Sequence, residues 1–205
     1  MDVFVHDRQT GITERISLDS SSSEGNGTSD LPSISADGRY VVFESDADNL
    51  VPDDTNFRTD IFVRDRQTGL TNLVGQAFDG GQLNSWSNRP SITPDGRFVA
   101  FQSEASNLIA GDTNGTTDTF VNDRQTGLTT RVSVDSGGGE GNSFSLYPSI
   151  SSGGHFVAFF SFAGNLVPND TNGSPDVFVR FTNFDPIFAN GSESGNTSAW
   201  SISVP

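Results

Sequence analysis

The 205-residue sequence contains no cysteine, which excludes disulfides, thiol catalysis and cysteine-ligated zinc. Lysine is absent too: all 11 basic residues are arginine, against 26 acidic ones, for a formal charge of −15. So acidic a chain is repelled by nucleic acid and anionic lipid, and neither is an expected partner. No apolar run approaches the ~20 residues of a membrane span, so no membrane-crossing helix is expected. Histidine occurs only as His6 and His155, at positions where the repeats described below carry arginine or asparagine, which points to ordinary surface residues. No G-x-S-x-G elbow, H-E-x-x-H pair or phosphate-binding glycine loop is present. The acidic residues recur at fixed repeat positions, so the chain is expected to be non-catalytic.

What remains is glycine, small polar residues and phenylalanine. Glycine occurs 22 times, phenylalanine 17 times, and the apolar fraction is only 33%. This composition points to a turn-rich all-β fold with an aromatic core. Asp2 opens DVFVHDRQTG, Asp60 opens DIFVRDRQTG, Asp118 opens DTFVNDRQTG and Asp176 opens DVFVRFTNFD. These aspartates are spaced by 58 residues without insertion or deletion. A fixed period of this kind marks stacked supersecondary units.

Within one period, PSIS at 32–35, Tyr40–Phe43, Asp60–Val63 and Thr71–Val74 are short strand-like runs separated by turn residues. Asp37-Gly38 predicts a type I′ hairpin, and Gln67-Thr68-Gly69 the next turn. Four antiparallel strands per unit describe a propeller blade. The second copy starts at Pro90 and the third at Pro148.

The runs PSISADGRYVVFES and DIFVRDRQTG, with their copies, resemble the WD40-like (PD40) β-propeller repeat of the TolB type. The resemblance covers nearly the whole chain, three times over. It implies propeller-type blades with PSIS innermost, and little about activity, because such folds host many functions. The blade is longer here than in that family, through residues 49–59 and the Gly/Ser-rich link before each proline.

The expected organisation is a single repeat domain of three full blades, at 32–89, 90–147 and 148–190, flanked by a split one. Residues 2–31 supply its outer strands and residues 191–205 an inner strand. Propellers close with ~4–8 blades, so three outcomes are open. The ends could meet in cis, one copy could complete the next in trans, or the sequence could be a piece of a longer propeller. Unpaired strand edges are templates for pairing between chains. Val3, Phe4 and Val5 at one end, and Trp200, Ile202 and Val204 at the other, are therefore the candidate assembly residues.

Each third strand is preceded by D-x-N-x-x-x-D: Asp54, Asn56, Asp60; Asp112, Asn114, Asp118; Asp170, Asn172, Asp176. Alternating carboxylate and amide residues in a short loop aim several hard oxygens at one point, as calcium requires. The same residues form Asx-turns that cap the following backbone, and both readings stand. Gly115 and Gly173 make the second and third copies the better calcium candidates. Asn49, Asn107 and Asn165 recur as expected buried turn amides. Glycosylation sequons stand at Asn26, Asn114, Asn169, Asn172, Asn190 and Asn196.

The function expected from these features is structural. The chain reads as an extracellular or periplasmic subunit that associates with itself by blade completion, with calcium stiffening its loops. The rival is a closed propeller that binds a carbohydrate or protein ligand on one face of the ring.

Overall fold

The computed structural model describes residues 1–52 and 54–182. It is all-β, and its strands form sheets that follow the 58-residue period. The first, blade 0, pairs β1 (Phe4–His6) with β2 (Thr13–Arg15). Blade 1 orders β3 (Ser29–Ile34), β4 (Tyr40–Ser45), β5 (Asp60–Asp65) and β6 (Leu70–Val74) as an antiparallel meander. Blade 2 repeats it with β7 (Ser87–Ile92), β8 (Phe98–Ser103), β9 (Asp118–Asp123) and β10 (Thr129–Arg131). In blade 3 the described strands are β11 (Ser145–Ile150), β12 (Phe156–Ser161) and β13 (Asp176–Phe181). The outer strand expected in blade 3 and the inner strand expected at 191–205 lie outside the described residues.

The innermost strands are the PSIS segments, extended by several residues. They touch one another: the Ile92 N–H donates to Ser33 Oγ at 3.3 Å, and the Ile150 N–H to Ser91 Oγ at 3.4 Å. Leu31, Arg89 and Tyr147, each just before the proline, have φ of 45°, 55° and 56°. Each marks a register shift in its strand. The Arg89 N–H then donates to Glu44 Oε2, and the Tyr147 N–H to Gln102 Oε1, both at 2.8 Å and both across to the preceding blade.

The hairpin at Asp37-Gly38 is not type I′. Only Gly38 has positive φ, 70°, and its N–H donates to the Ser35 carbonyl at 2.9 Å. Ala36 and Asp37 form the bend, while the Asp37 carboxylate accepts from the Ser35 hydroxyl and the Arg39 N–H. The aspartate caps the turn from outside instead of adopting the left-handed conformation itself.

Packing runs from blade to blade. The rear faces of blades 1, 2 and 3 each carry a phenylalanine pair, Phe43–Phe62 and Phe101–Phe120 at 6.0 Å and Phe159–Phe178 at 5.7 Å between ring centroids. The forward face of the preceding blade covers it: Val3 and Ile16 lie on Phe43 and Phe62, and Ile61, Val63 and Val74 on Phe101 and Phe120. Val121 and Val132 cover Phe159. Burying such large side chains at ~25 cal/mol per Å² of apolar area is what holds the stack together.

Candidate functional site

Three places carry functional residues: the acidic loops, the two end faces and the outer rim. In each acidic loop the central asparagine organises the bend. Its side-chain carbonyl accepts the N–H two residues on: Arg58 to Asn56 at 2.8 Å, Thr116 to Asn114 at 2.9 Å and Ser174 to Asn172 at 2.7 Å. Its amide donates to Oδ2 of the closing aspartate, at 2.8 Å on Asp60, 2.9 Å on Asp118 and 3.4 Å on Asp176. Asx-turn geometry is thus present in all three loops. Among the described residues no three His, Asp or Glu side chains converge closely enough to cage a metal ion by themselves.

The loops differ in what faces them. In blade 2, Arg131 reaches from β10 to Asp118 Oδ2 at 3.0 Å, Asp112 Oδ1 at 3.3 Å and Glu140 Oε2 at 2.8 Å. The Ser133 hydroxyl donates to Asp118 Oδ1 at 2.6 Å. Blade 0 repeats the arrangement with Arg15 paired to Glu24 and 4.0 Å from Asp2, and with Ser17 donating to Asp2 at 2.9 Å. In blade 3, Asp170 and Asp176 are half-buried and Asn172 is exposed. Blade 1 differs again. Asp60 is fully buried and Asp54 is 7% exposed. Burial pushes the Asp60 carboxyl up to about 7; the Asn56 hydrogen bond opposes this and the Asp54 charge adds to it. Burial raises Asp54 as well, opposed by the Asn56 N–H and reinforced by the Asp48 charge.

The end faces are unequal. Val3 and Val5, two of the residues expected to serve assembly, pack on blade 1 within the chain. Phe4, between them, points the other way and is 51% exposed, although its counterparts Phe62 and Phe120 are fully buried. Beside it a groove of about 240 Å³ is lined by Phe4, Val5, Pro32, Ser33, Ile34 and Val41. At the far end, Val177 and Val179 of β13 are 74% and 66% exposed. They occupy the register that Ile61 and Val63 bury in blade 1. Trp200, Ile202 and Val204 lie outside the described residues.

On the rim, Arg39 pairs with Asp65 at 2.7 Å and Arg97 with Asp123 at 2.8 Å. In blade 3 both partners change together: His155 stacks on Phe181 at 6.5 Å, with the rings 8° from parallel. His155 is therefore half of an exchanged pair, which its position after a hairpin did not reveal. His6 contacts Thr13 across β1 and β2 at 2.8 Å.

The asparagines at 49, 107 and 165 satisfy backbone groups as expected, but Asn49 and Asn165 are exposed and Asn107 is half-buried, not buried. Their side-chain carbonyls accept the N–H of Asn26, Asn84 and Asn142 at 2.8–3.0 Å, and their amides donate to the carbonyls of Glu24, Gln82 and Glu140 at 2.8–2.9 Å. Among the sequons, Asn169 and Asn172 are exposed. The Asn114 amide already donates to Asp118 and to the Gly141 carbonyl, and the Asn26 amide to Asp48. Asn190 and Asn196 lie outside the described residues.

No protein-family profile matches the chain, and no curated protein matches it in sequence. Solved structures do. TolB from Acinetobacter baumannii superposes with a TM-score of 0.53 at 20% identity, over 93% of this chain and 36% of that one. A prolyl endopeptidase, from a study of two such enzymes, superposes with a TM-score of 0.51 at 16% identity, over 89% of this chain and 24% of that one. The chain thus spans about a third or less of the length of these structures. At such identities the likeness is one of fold: the sheets are propeller blades of the TolB type. Among the described residues no helix is long and apolar enough to cross a membrane.

Proposed function

We propose that the chain is a non-catalytic structural module of an extracellular assembly, in which the blade 3 end of one copy receives the blade 0 end of the next. One observation carries this reading. The face bared on β13 at Val177 and Val179 is the face that, one and two repeats earlier, covers a phenylalanine-bearing rear face. Phe4, with the Arg15 guanidinium over its ring, presents one half of such a rear face at the other end. The two surfaces are complementary and different, so the contact is heterologous and propagates unless rotation closes it into a ring. The groove beside β1 lies on the side where blade 1 has its inner strands, and an added strand there would pair with an open edge. The alternating Trp200, Ile202 and Val204 are the proposed source of that strand.

The test is sedimentation velocity over a hundredfold range of concentration, with negative-stain imaging of the densest sample. Polymers or rings are expected for the parent, and 21.8 kDa monomers for Val177→Asp/Val179→Asp. A parent that stays monomeric throughout overturns self-assembly and leaves a propeller-type binding module.

A further inference from the structure

We propose that blade 1 holds one hard, oxygen-seeking divalent cation of the calcium class, bound between Asp54 and Asp60. The argument compares the chain with itself. Residues 15, 73 and 131 occupy one register position, opposite Phe4, Phe62 and Phe120 in their sheets. In blades 0 and 2 that position is an arginine whose guanidinium sits among the loop carboxylates. In blade 1 it is Leu73.

Two further donor or charge positions change with it. Ser17 and Ser133 each donate a hydroxyl to the strand-opening aspartate, whereas Gly75 stands in the corresponding place and has none. Glu24 and Glu140 correspond to the neutral Gln82. Blade 1 has therefore lost both external donors to Asp60 while keeping Asp54 and Asp60 themselves. Three buried carboxylate oxygens, both of Asp54 and Oδ1 of Asp60, make no hydrogen bond and, among the described residues, no ion pair, whereas the unbonded Asp112 Oδ1 of blade 2 lies 3.3 Å from Arg131.

Buried carboxylates stay ionised only when paired or coordinated. Blade 2 satisfies the same cage with a cation built into the chain, and blade 0 does so for Asp2 and Glu24, so the arrangement selects for positive charge. In blade 1 the balancing charge has to be a proton or a cation from outside. Two carboxylates with no glutamate match a divalent ion, and calcium completes its roughly six to eight oxygens with carbonyls and water. Thr55, between Asp54 and Asn56, is exposed and leaves the loop open to solvent. This ranking differs from the one Gly115 and Gly173 imply: in blade 2 a guanidinium already fills the position, and in blade 3 Asp170 and Asp176 are half-buried and reached by solvent where Asp54 and Asp60 are buried.

Calcium chloride titrated calorimetrically into the chelator-washed full chain is the test. One ion per chain is expected, with a rise in Tm of about 5 °C or more at saturation. Leu73→Arg, which installs the neighbours' guanidinium in the same register, should abolish the binding and melt in chelator as the parent melts in calcium. Asp54→Asn should abolish the binding whether or not the arginine variant folds. A parent that takes up no calcium at millimolar concentration overturns the proposal. So does an Asp54→Asn protein that keeps the parent's stoichiometry.

Discussion

At Gly96 the backbone has φ of +74°, and a Cβ built there would lie 2.2 Å from Cδ2 of Tyr40 in the preceding blade. Gly154 meets Phe98 in the same way, at 2.6 Å. Both constraints act together, since a side chain would be strained by the left-handed conformation and would also push an aromatic ring out of place. Gly96→Ala is expected to cost roughly 2–4 kcal/mol, read from the midpoint of urea unfolding. A second residue-scale effect belongs to Asp65. The Arg39 guanidinium holds its carboxyl well below the ordinary carboxylate range, against the effect of burial. Its folded pKa is lower than its unfolded one, so the stabilisation is fully present above about pH 4 and disappears as pH falls below that. Melting temperatures should therefore drop steeply under acid in the parent, and less steeply in Arg39→Gln, which is already weaker at pH 7.

At the scale of elements, the staple between blades is a buried arginine. Arg64 of β5 donates to the Asp19 carbonyl at 2.7 Å and to Thr71 Oγ1 at 3.0 Å, pinning the loop after β2 onto blade 1. Arg180 does the same in blade 3, donating to the Asp135 carbonyl at 3.1 Å. Hydrogen bonds to charged groups contribute about 1.5–3 kcal/mol each. Arg64→Ala should accordingly speed hydrogen exchange in residues 18–24 by tenfold or more while blade 2 is unaffected. Elements were also the scale at which the sequence was most legible. The 58-residue spacing placed the strands because repeated aspartates, glycines and phenylalanines are each tied to one backbone position. The Asp37-Gly38 bend departs from the type I′ expectation because a dipeptide does not say whether the aspartate enters the left-handed region or caps from outside. The blade 1 cage was hidden for another reason. Leu73, Gly75 and Gln82 draw no notice alone, and their shared meaning appears only when the fold shows what Arg131, Ser133 and Glu140 do at the same repeat positions beside Asp112 and Asp118.

At the scale of the whole molecule, the invariant period means that each interface is a copy of the last, with small local edits. Stability of such stacks is roughly a sum of unit and neighbour contributions. The exposed Val177 and Val179 then offer the next unit a surface of the same kind that Val3, Val5, Ile61 and Val63 already use. Because no interface records its ordinal place, a gene carrying one more or one fewer 58-residue unit should still encode a folding protein. Excising residues 90–147 should join blade 1 to blade 3 with matched faces, lowering the unfolding free energy by about one repeat's share without loss of cooperativity. Tandem duplication and unequal crossing-over would in that case act on this gene as a ruler that can be lengthened or cut at any mark.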